Sequence, residues 1–90
     1  MRIPIRTTQF KRDIKLAGKR GKSMSKLKKL MELLAEEEAL DPKYRDHKLT
    51  GDYKAHRECH IEPDWLLIYQ ITETEIRFVR TGTHSDLFKE

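Results

Sequence analysis

The run Trp65-Leu66-Leu67-Ile68-Tyr69-Gln70-Ile71, then Thr72-Glu73-Thr74, then Glu75-Ile76-Arg77-Phe78-Val79-Arg80-Thr81, decides how this chain folds. Its first seven residues are apolar on both faces, which is the pattern of a central strand. The second stretch reads as the next strand, and so short a connection predicts that the two pair as a hairpin. Upstream, Tyr53–Ile61 alternates Tyr53, Ala55, Arg57 and Cys59 against Lys54, His56, Glu58 and His60. That predicts a further strand with one drier and one strongly polar side, ended by Glu62-Pro63-Asp64.

Residues before position 43 have a different texture. Ile3 and Ile5 share one side of a short strand, which Pro4 confines to a sheet edge. Thr7 or Thr8 caps a helix whose face carries Phe10, Ile14 and Ala17, with Gly18 and Gly21 as its stop. Ser23 or Ser25 caps a second helix with Met24, Leu27, Leu30, Met31 and Leu34 on one stripe. Glu36-Glu37-Glu38 oppose the macrodipole at its end, and Asp41-Pro42 closes it. The predicted order is β-α-α-β-β-β. The predicted class is α+β: a small, mainly antiparallel sheet packed against an N-terminal helical hairpin, in one domain over residues 1–90.

With 90 residues, 37% hydrophobic and 38% charged, the chain supports one modest core. No apolar run approaches the roughly 20 residues a transmembrane helix needs, and no apolar stretch follows the N-terminal charges as a secretory signal requires. The lone Cys59 has no internal disulfide partner, so a reducing, cytoplasmic address is expected.

The net charge of +4 is unevenly spread. Residues 1–30 hold eleven Lys and Arg and one acid, Asp13. Lys11, Arg12, Lys15, Lys19, Arg20, Lys22, Lys26, Lys28 and Lys29 form a block suited to a polyanion such as RNA; the alternative is a merely solvated face.

Four histidines are present: His47, His56, His60 and His84. In an antiparallel meander the end of the His60 strand, the start of the Trp65 strand and the end of the Arg80 strand meet at one sheet edge. His60, Asp64 and His84 should therefore converge, and His47 joins them if the preceding segment crosses that edge. Histidines with a carboxylate suit acid–base catalysis, a metal site, or no function at all. The spacing matches no standard metal-ligand pair on a regular element, and Cys59 points away from His60. Arg77 and Arg80 fall on opposite faces of their strand, so at most one of them is expected to face this cluster, and Phe88 is either a core plug or a base-stacking platform.

Three stretches resemble a known family: Tyr44-Arg45-Asp46-His47-Lys48-Leu49, His60-Ile61-Glu62-Pro63-Asp64-Trp65-Leu66-Leu67-Ile68-Tyr69, and Arg80-Thr81-Gly82-Thr83-His84-Ser85-Asp86-Leu87-Phe88. With the basic Lys15-Leu16-Ala17-Gly18-Lys19-Arg20, they look like the YafQ branch of the RelE/ParE toxin superfamily. The resemblance implies the RelE-like microbial RNase fold and a toxin of a type II toxin–antitoxin system. It implies a ribosome-dependent mRNA endoribonuclease that inhibits translation without a metal or other cofactor. Its implied partners are a cognate antitoxin, the ribosome and mRNA, with operator DNA reached only through the antitoxin complex. The catalytic set carries over as His47, His60, Asp64 and His84, with Phe88 near the substrate; Arg80 and Lys48 are further candidates for contact with the substrate, expected from this chain's own sequence. The chain departs from the family pattern at Glu58, where Asp is found, and at Lys48, where Pro is usual. A non-enzymatic alternative on the same fold is a ParE-like topoisomerase inhibitor or a basic ribosome- or RNA-binding module.

Overall fold

A computed structural model describes residues 1–88. Strand β1 (Ile3–Arg6) leads into helices α1 (Thr8–Lys19) and α2 (Met24–Ala35). Strands β2 (His47–Lys48), β3 (Arg57–Glu62), β4 (Trp65–Ile71) and β5 (Glu75–Gly82) follow, and the one-turn helix α3 (His84–Phe88) ends the described chain. The sheet order is β1-β5-β4-β3-β2. β1 runs parallel to β5 at one edge, and every other pairing is antiparallel.

Both helices begin where a hydroxyl caps a free N–H. Thr7 Oγ1 accepts from the Phe10 N–H at 3.0 Å, and Ser23 Oγ accepts from the Lys26 N–H at 3.4 Å. α2 ends at Ala35 with Glu36 as its C-cap, and Glu37 turns to a positive φ of 62°, so the acidic run lies outside the helix.

β4 is the centre, as its sequence pattern requires. Trp65, Leu67 and Tyr69 face the helices with Cys59, Ile76 and Phe78, under Phe10, Leu27, Leu30 and Leu34. Leu66 and Ile68 face the other way, under Leu87 and beside Tyr53, Val79 and Phe88. Residues 65–69 are each at most 1% exposed, and side chains of this kind stabilise by about 1.5–3 kcal/mol apiece when fully buried. α3 thus covers the face the helices leave open, which fixes the height at which His84 stands above the sheet.

Four details differ from the sequence expectation. The strand expected over Tyr53–Ile61 begins only at Arg57, because residues Gly51–Tyr53 form a 3₁₀ turn and Ala55 sits at φ 71°. The sheet has five strands, not four: His47 and Lys48 pair with Glu58 and Arg57, a two-residue strand too short to leave a periodic signal. Past the last expected strand, His84 opens a helix, α3. Val79 is an extra residue in β5, since Phe78 pairs with Tyr69 while Arg80 pairs with Ile68. That bulge swings Arg80 onto the buried Asp13 of α1, with Nε 2.8 Å from Oδ2.

Candidate active site

His84 and Asp64 meet where β3–β4 turns beside the end of β5. Asp64 Oδ1 accepts the His84 backbone N–H at 2.9 Å and its Nδ1–H at 2.5 Å. These bonds, the backbone one first, hold the Asp64 carboxyl below the usual carboxylate range. A carboxylate only accepts, so the His84 ring proton belongs on Nδ1, and Nε2 is left to exchange a proton with a substrate.

His60 stands next in line, its ring centroid 5.8 Å from that of His84 and 6.3 Å from that of His47. Its Nδ1 is 3.3 Å from the Pro63 carbonyl, and its Nε2 is 3.9 Å from Glu58 Oε2. His47 repeats the pattern: Nδ1 lies 2.7 Å from the Arg45 carbonyl, and Nε2 lies 3.0 Å from Glu58 Oε2. A carbonyl cannot donate, so His47 Nδ1 carries a proton. The 3.0 Å contact then needs a second proton, on the imidazole or on the carboxyl, to avoid opposing two lone pairs. Glu58 is 5% exposed, and its Oε1 has no hydrogen-bond partner among the described residues.

The turn carrying His47 is pinned from beneath. Arg45 is left-handed at φ 47°, which directs its carbonyl at His47. Asp46 accepts a short hydrogen bond from the buried Tyr69 hydroxyl and two from Arg57, each at 3.3 Å. Burial first, and the bond to Asp46 second, push the Tyr69 phenol up, so it stays a donor.

α3 is anchored in the same manner. Thr83 Oγ1 accepts from the Asp86 N–H while Asp86 Oδ2 accepts from the Thr83 N–H, a reciprocal cap. Arg20 at the end of α1 donates to both Asp86 oxygens, at 2.6 and 3.2 Å. A Cβ on Gly82 would stand 3.0 Å from the Asp86 Cβ and Oδ2, so a larger residue would press on the capping carboxylate.

The structure therefore brings His47, His60, Asp64 and His84 together, with Phe88 flanking His84 at 6.5 Å between ring centroids. His56 lies apart from the row, edge-on to Tyr53. Lys48 follows His47 on β2 and alternates to its other side. Arg80 is held by Asp13 through two bonds, at 2.8 and 3.3 Å. Of the basic block, Arg20 pairs with Asp86, and Lys22 and Lys26 both pair with Glu62. Lys11, Arg12, Lys15, Lys19, Lys28 and Lys29 are exposed and have no ion-pair partner among the described residues. Sequence reasoning misses two functional candidates. Alternation places Glu58 on the His60 face without giving it a role, and Asp46 carries no signal beyond its place before His47.

A family profile described as "Bacterial toxin of type II toxin-antitoxin system, YafQ" matches residues 2–89. The chain belongs to the YafQ family. This YafQ-family chain is 52% identical over 81 residues to the "mRNA interferase toxin YafQ" of Escherichia coli strain K12, covering 89% of this chain and 88% of that one. It superposes on a chain of the crystal structure of the E. coli DinJ–YafQ toxin–antitoxin complex with a TM-score of 0.90 at 49% identity, covering 97% of each chain. The crystal structure of a metal-bound toxin from Helicobacter pylori matches with a TM-score of 0.91 at 43% identity, covering 98% of this chain and 100% of that one. The α+β architecture with a RelE-like sheet is thus shared with solved members of the family.

The metal-bound relative raises the question of which residues here fit an ion. His47, Glu58 and His60 each offer a ligand atom within 4.8 Å of the others. Both imidazoles point Nε2 at the carboxylate and fix Nδ1 on a carbonyl, the outer arrangement that metal-ligating histidines use. The donor set fits a divalent ion of the transition series.

Proposed function

We propose that this chain is the toxin of a type II toxin–antitoxin pair and that it cleaves mRNA on the ribosome by acid–base chemistry at His47, His60, Asp64 and His84. One observation carries the reading: three imidazoles stand in a row, each with Nδ1 against an oxygen acceptor, on a rim of the sheet beside a strongly basic helical layer. The 90 residues act as one toxin domain in the cytoplasm, held by a cognate antitoxin of the kind seen in the DinJ–YafQ complex.

The reaction is a transesterification. One imidazole takes the proton of the RNA 2′-OH, and that oxygen forms a bond to the adjacent phosphorus. The bond from phosphorus to the 5′-oxygen breaks, and a second imidazole gives that oxygen a proton. His60 and His84 are the acid–base pair. Asp64 fixes the His84 ring and offsets the charge of its imidazolium. His47, with Glu58 behind it, donates to the phosphate as negative charge builds on its oxygens. Phe88 offers a face to the neighbouring base. The products are a 2′,3′-cyclic phosphate and a 5′-hydroxyl, and DNA, which lacks the nucleophile, is inert.

The cluster of His47, Glu58 and His60 supports a second reading, in which those residues hold an ion. Such an ion would supply Lewis-acid stabilisation of the phosphate. His84, oriented by Asp64, remains a proton-transfer group in either case.

The test is purified toxin in a translation reaction, followed by primer extension on the mRNA. The expected result is breaks within codons in the ribosomal A site, formed far faster than the slow cleavage of free RNA that the same toxin concentration gives when ribosomes are omitted. Growth arrest with intact transcripts and a poisoned topoisomerase would replace this reading with the ParE-like one.

A further inference from the structure

Beside the histidine row, reached at His60, a cavity of about 550 Å³ opens between α2, the 3₁₀ turn Pro42–Tyr44 and the β3–β4 turn. That volume lies in the range of sites that hold a whole small molecule. Tyr44, Ile61, Pro63 and His60 are among the residues that line it. Its cations are Lys26, Lys29, Lys43 and Arg45. Glu62 is the acid among its lining residues, and it is already bound by Lys22 at 3.2 Å and Lys26 at 3.1 Å.

Lys29, Lys43 and Arg45 have no ion-pair partner among the described residues, so three positive charges surround one cavity with no anion to balance them. Lys43 is steered to its place, with Nζ 5.1 Å from the centroid of the Tyr44 ring. Arg45 sits at a positive φ of 47°, its carbonyl meets His47, and it also lines the cavity.

We infer that this cavity is a subsite for the nucleotide next to the cleaved phosphodiester on the same RNA strand. Lys29, Lys43 and Arg45 hold that nucleotide's phosphate, and Tyr44 and Pro63 lie under its base. The inference rests on the ribonuclease reading and deepens it, because His60 belongs both to the imidazole row and to the cavity wall. A strand whose reacting phosphate lies among the histidines has a neighbouring nucleotide within reach of the cavity. An acidic peptide is the other polyanion to consider. The cavity favours a nucleotide because its cations share one compact cavity with an aromatic ring and do not follow an extended track.

The experiment measures binding by the isolated, full-length protein, without cleavage. The ligands are a dinucleotide with 2′-deoxy sugar at the nucleophile position, and trinucleotides extended by one nucleotide on the 5′ or on the 3′ side. With the native protein, extension on one side is expected to tighten binding about tenfold. In the double variant Lys43→Gln/Arg45→Gln that gain should shrink to about twofold or less. The trinucleotide's log–log salt slope should fall by about 0.7 for each phosphate the variant no longer neutralises. Lys43→Arg should keep the gain, and a thermal melt confirms folding, since both side chains are exposed.

No gain on either side with the native protein, or a gain the double variant retains, overturns the subsite. A double variant that keeps the RNA gain but binds the antitoxin less tightly assigns the cavity to the protein partner, and also overturns it. Because the deoxy ligands cannot be cut, the result stands apart from the catalytic reading. A native protein that shows the gain yet never cleaves the all-ribo trinucleotide or mRNA on ribosomes refutes only the latter.

Discussion

Asp64 Oδ1 accepts from both the main chain and the ring of His84, at 2.9 and 2.5 Å. One carboxylate oxygen therefore sets where α3 begins and which way its first side chain faces. The same atom selects the ring tautomer. This double hold accounts for the acidity of Asp64, and it leaves Nε2 of His84 as the nitrogen that meets substrate.

His84→Ala should lower mRNA cleavage and growth arrest by about 10²-fold or more, the range for a positioned acid or base. Ribosome affinity should stay near the native value, because the basic face is untouched. Asp64→Asn should cost less in fold stability than in rate, since the amide oxygen still accepts the backbone N–H but supplies no charge to the imidazolium. Single-turnover cleavage of ribosome-bound mRNA checks both variants. Native rates in either one remove the pair from the chemistry.

Tyr69→Phe tests the support under His47. The ring stays in the core, where Tyr69 is 1% exposed, and only the hydroxyl that bonds Asp46 is lost. Stability should fall by about 1 kcal/mol, the size of one net hydrogen bond. The cleavage rate should fall several-fold with little change in KM, because a looser Asp46 frees the Arg45–His47 turn. Urea unfolding and steady-state kinetics separate the two effects. A stability loss with an unaltered rate makes the network purely structural.

Much of this layout was legible in the sequence because burial on both faces leaves an unbroken apolar run. Trp65–Ile71 showed itself in that way, and the observed strand has the same bounds. The convergence of His60, Asp64 and His84 followed from antiparallel topology alone, since all three lie at one end of neighbouring strands. The parts that did not show are those made by single residues. β2 is two residues long, and Ala55 at φ 71° ends the alternation that Tyr53–Ile61 promises. The central place of Glu58 between two imidazoles depends on its pairing opposite His47, and a register is not written in either strand by itself.

The unpaired cations of α1 and α2 should carry ribosome binding. Reversing Lys11, Arg12, Lys15 and Lys19 together should weaken that affinity and reduce its salt dependence by about 0.7–0.9 in log–log slope for each phosphate left without its cation. Arg20, Lys22 and Lys26 are already occupied by Asp86 and Glu62, so their single substitutions should act mainly through stability. Sedimentation with ribosomes at several salt concentrations measures this. Undiminished affinity in the reversed variant reduces the block to a solvated surface.

Asp86 links stability to pH. The Arg20 guanidinium first, and then the Thr83 N–H, lower its carboxyl to about 2 from an ordinary 3.8. A depressed folded-state value means that its contribution is full above the unfolded value and is lost as pH falls through the folded one. Asp86→Asn should therefore lower stability at pH 7, by about 0.5–1 kcal/mol for a largely solvated pair. The difference from the native protein should shrink between about pH 4 and pH 2, where the native carboxylate takes up its proton. Melting temperatures of both proteins across that range test it. A gap that persists at pH 2 assigns the effect to packing around Gly82.

Chelation separates the two readings of the row of histidines. If proton transfer by His60 and His84 suffices, toxin stripped with EDTA and dialysed should cleave model RNA at the native rate. The profile against pH should then be bell-shaped, with limbs belonging to the interacting set as a whole. If His47, Glu58 and His60 must hold an ion, the stripped protein should be inactive and should recover when zinc or copper is returned. Intact ribosomes need Mg²⁺ for their own assembly, so the stripping has to be done on the isolated toxin, with a ribosome-free RNA as substrate. Glu58→Gln sharpens the comparison. The amide keeps the shape of the buried side chain and can donate to His47 Nε2, so the acid–base reading expects only a modest loss of rate. The metal reading expects the ion to be lost with the charge, which elemental analysis of the variant detects directly. Full activity after stripping, with a bell-shaped profile, decides for the histidines alone; activity that returns only with stoichiometric metal decides against them.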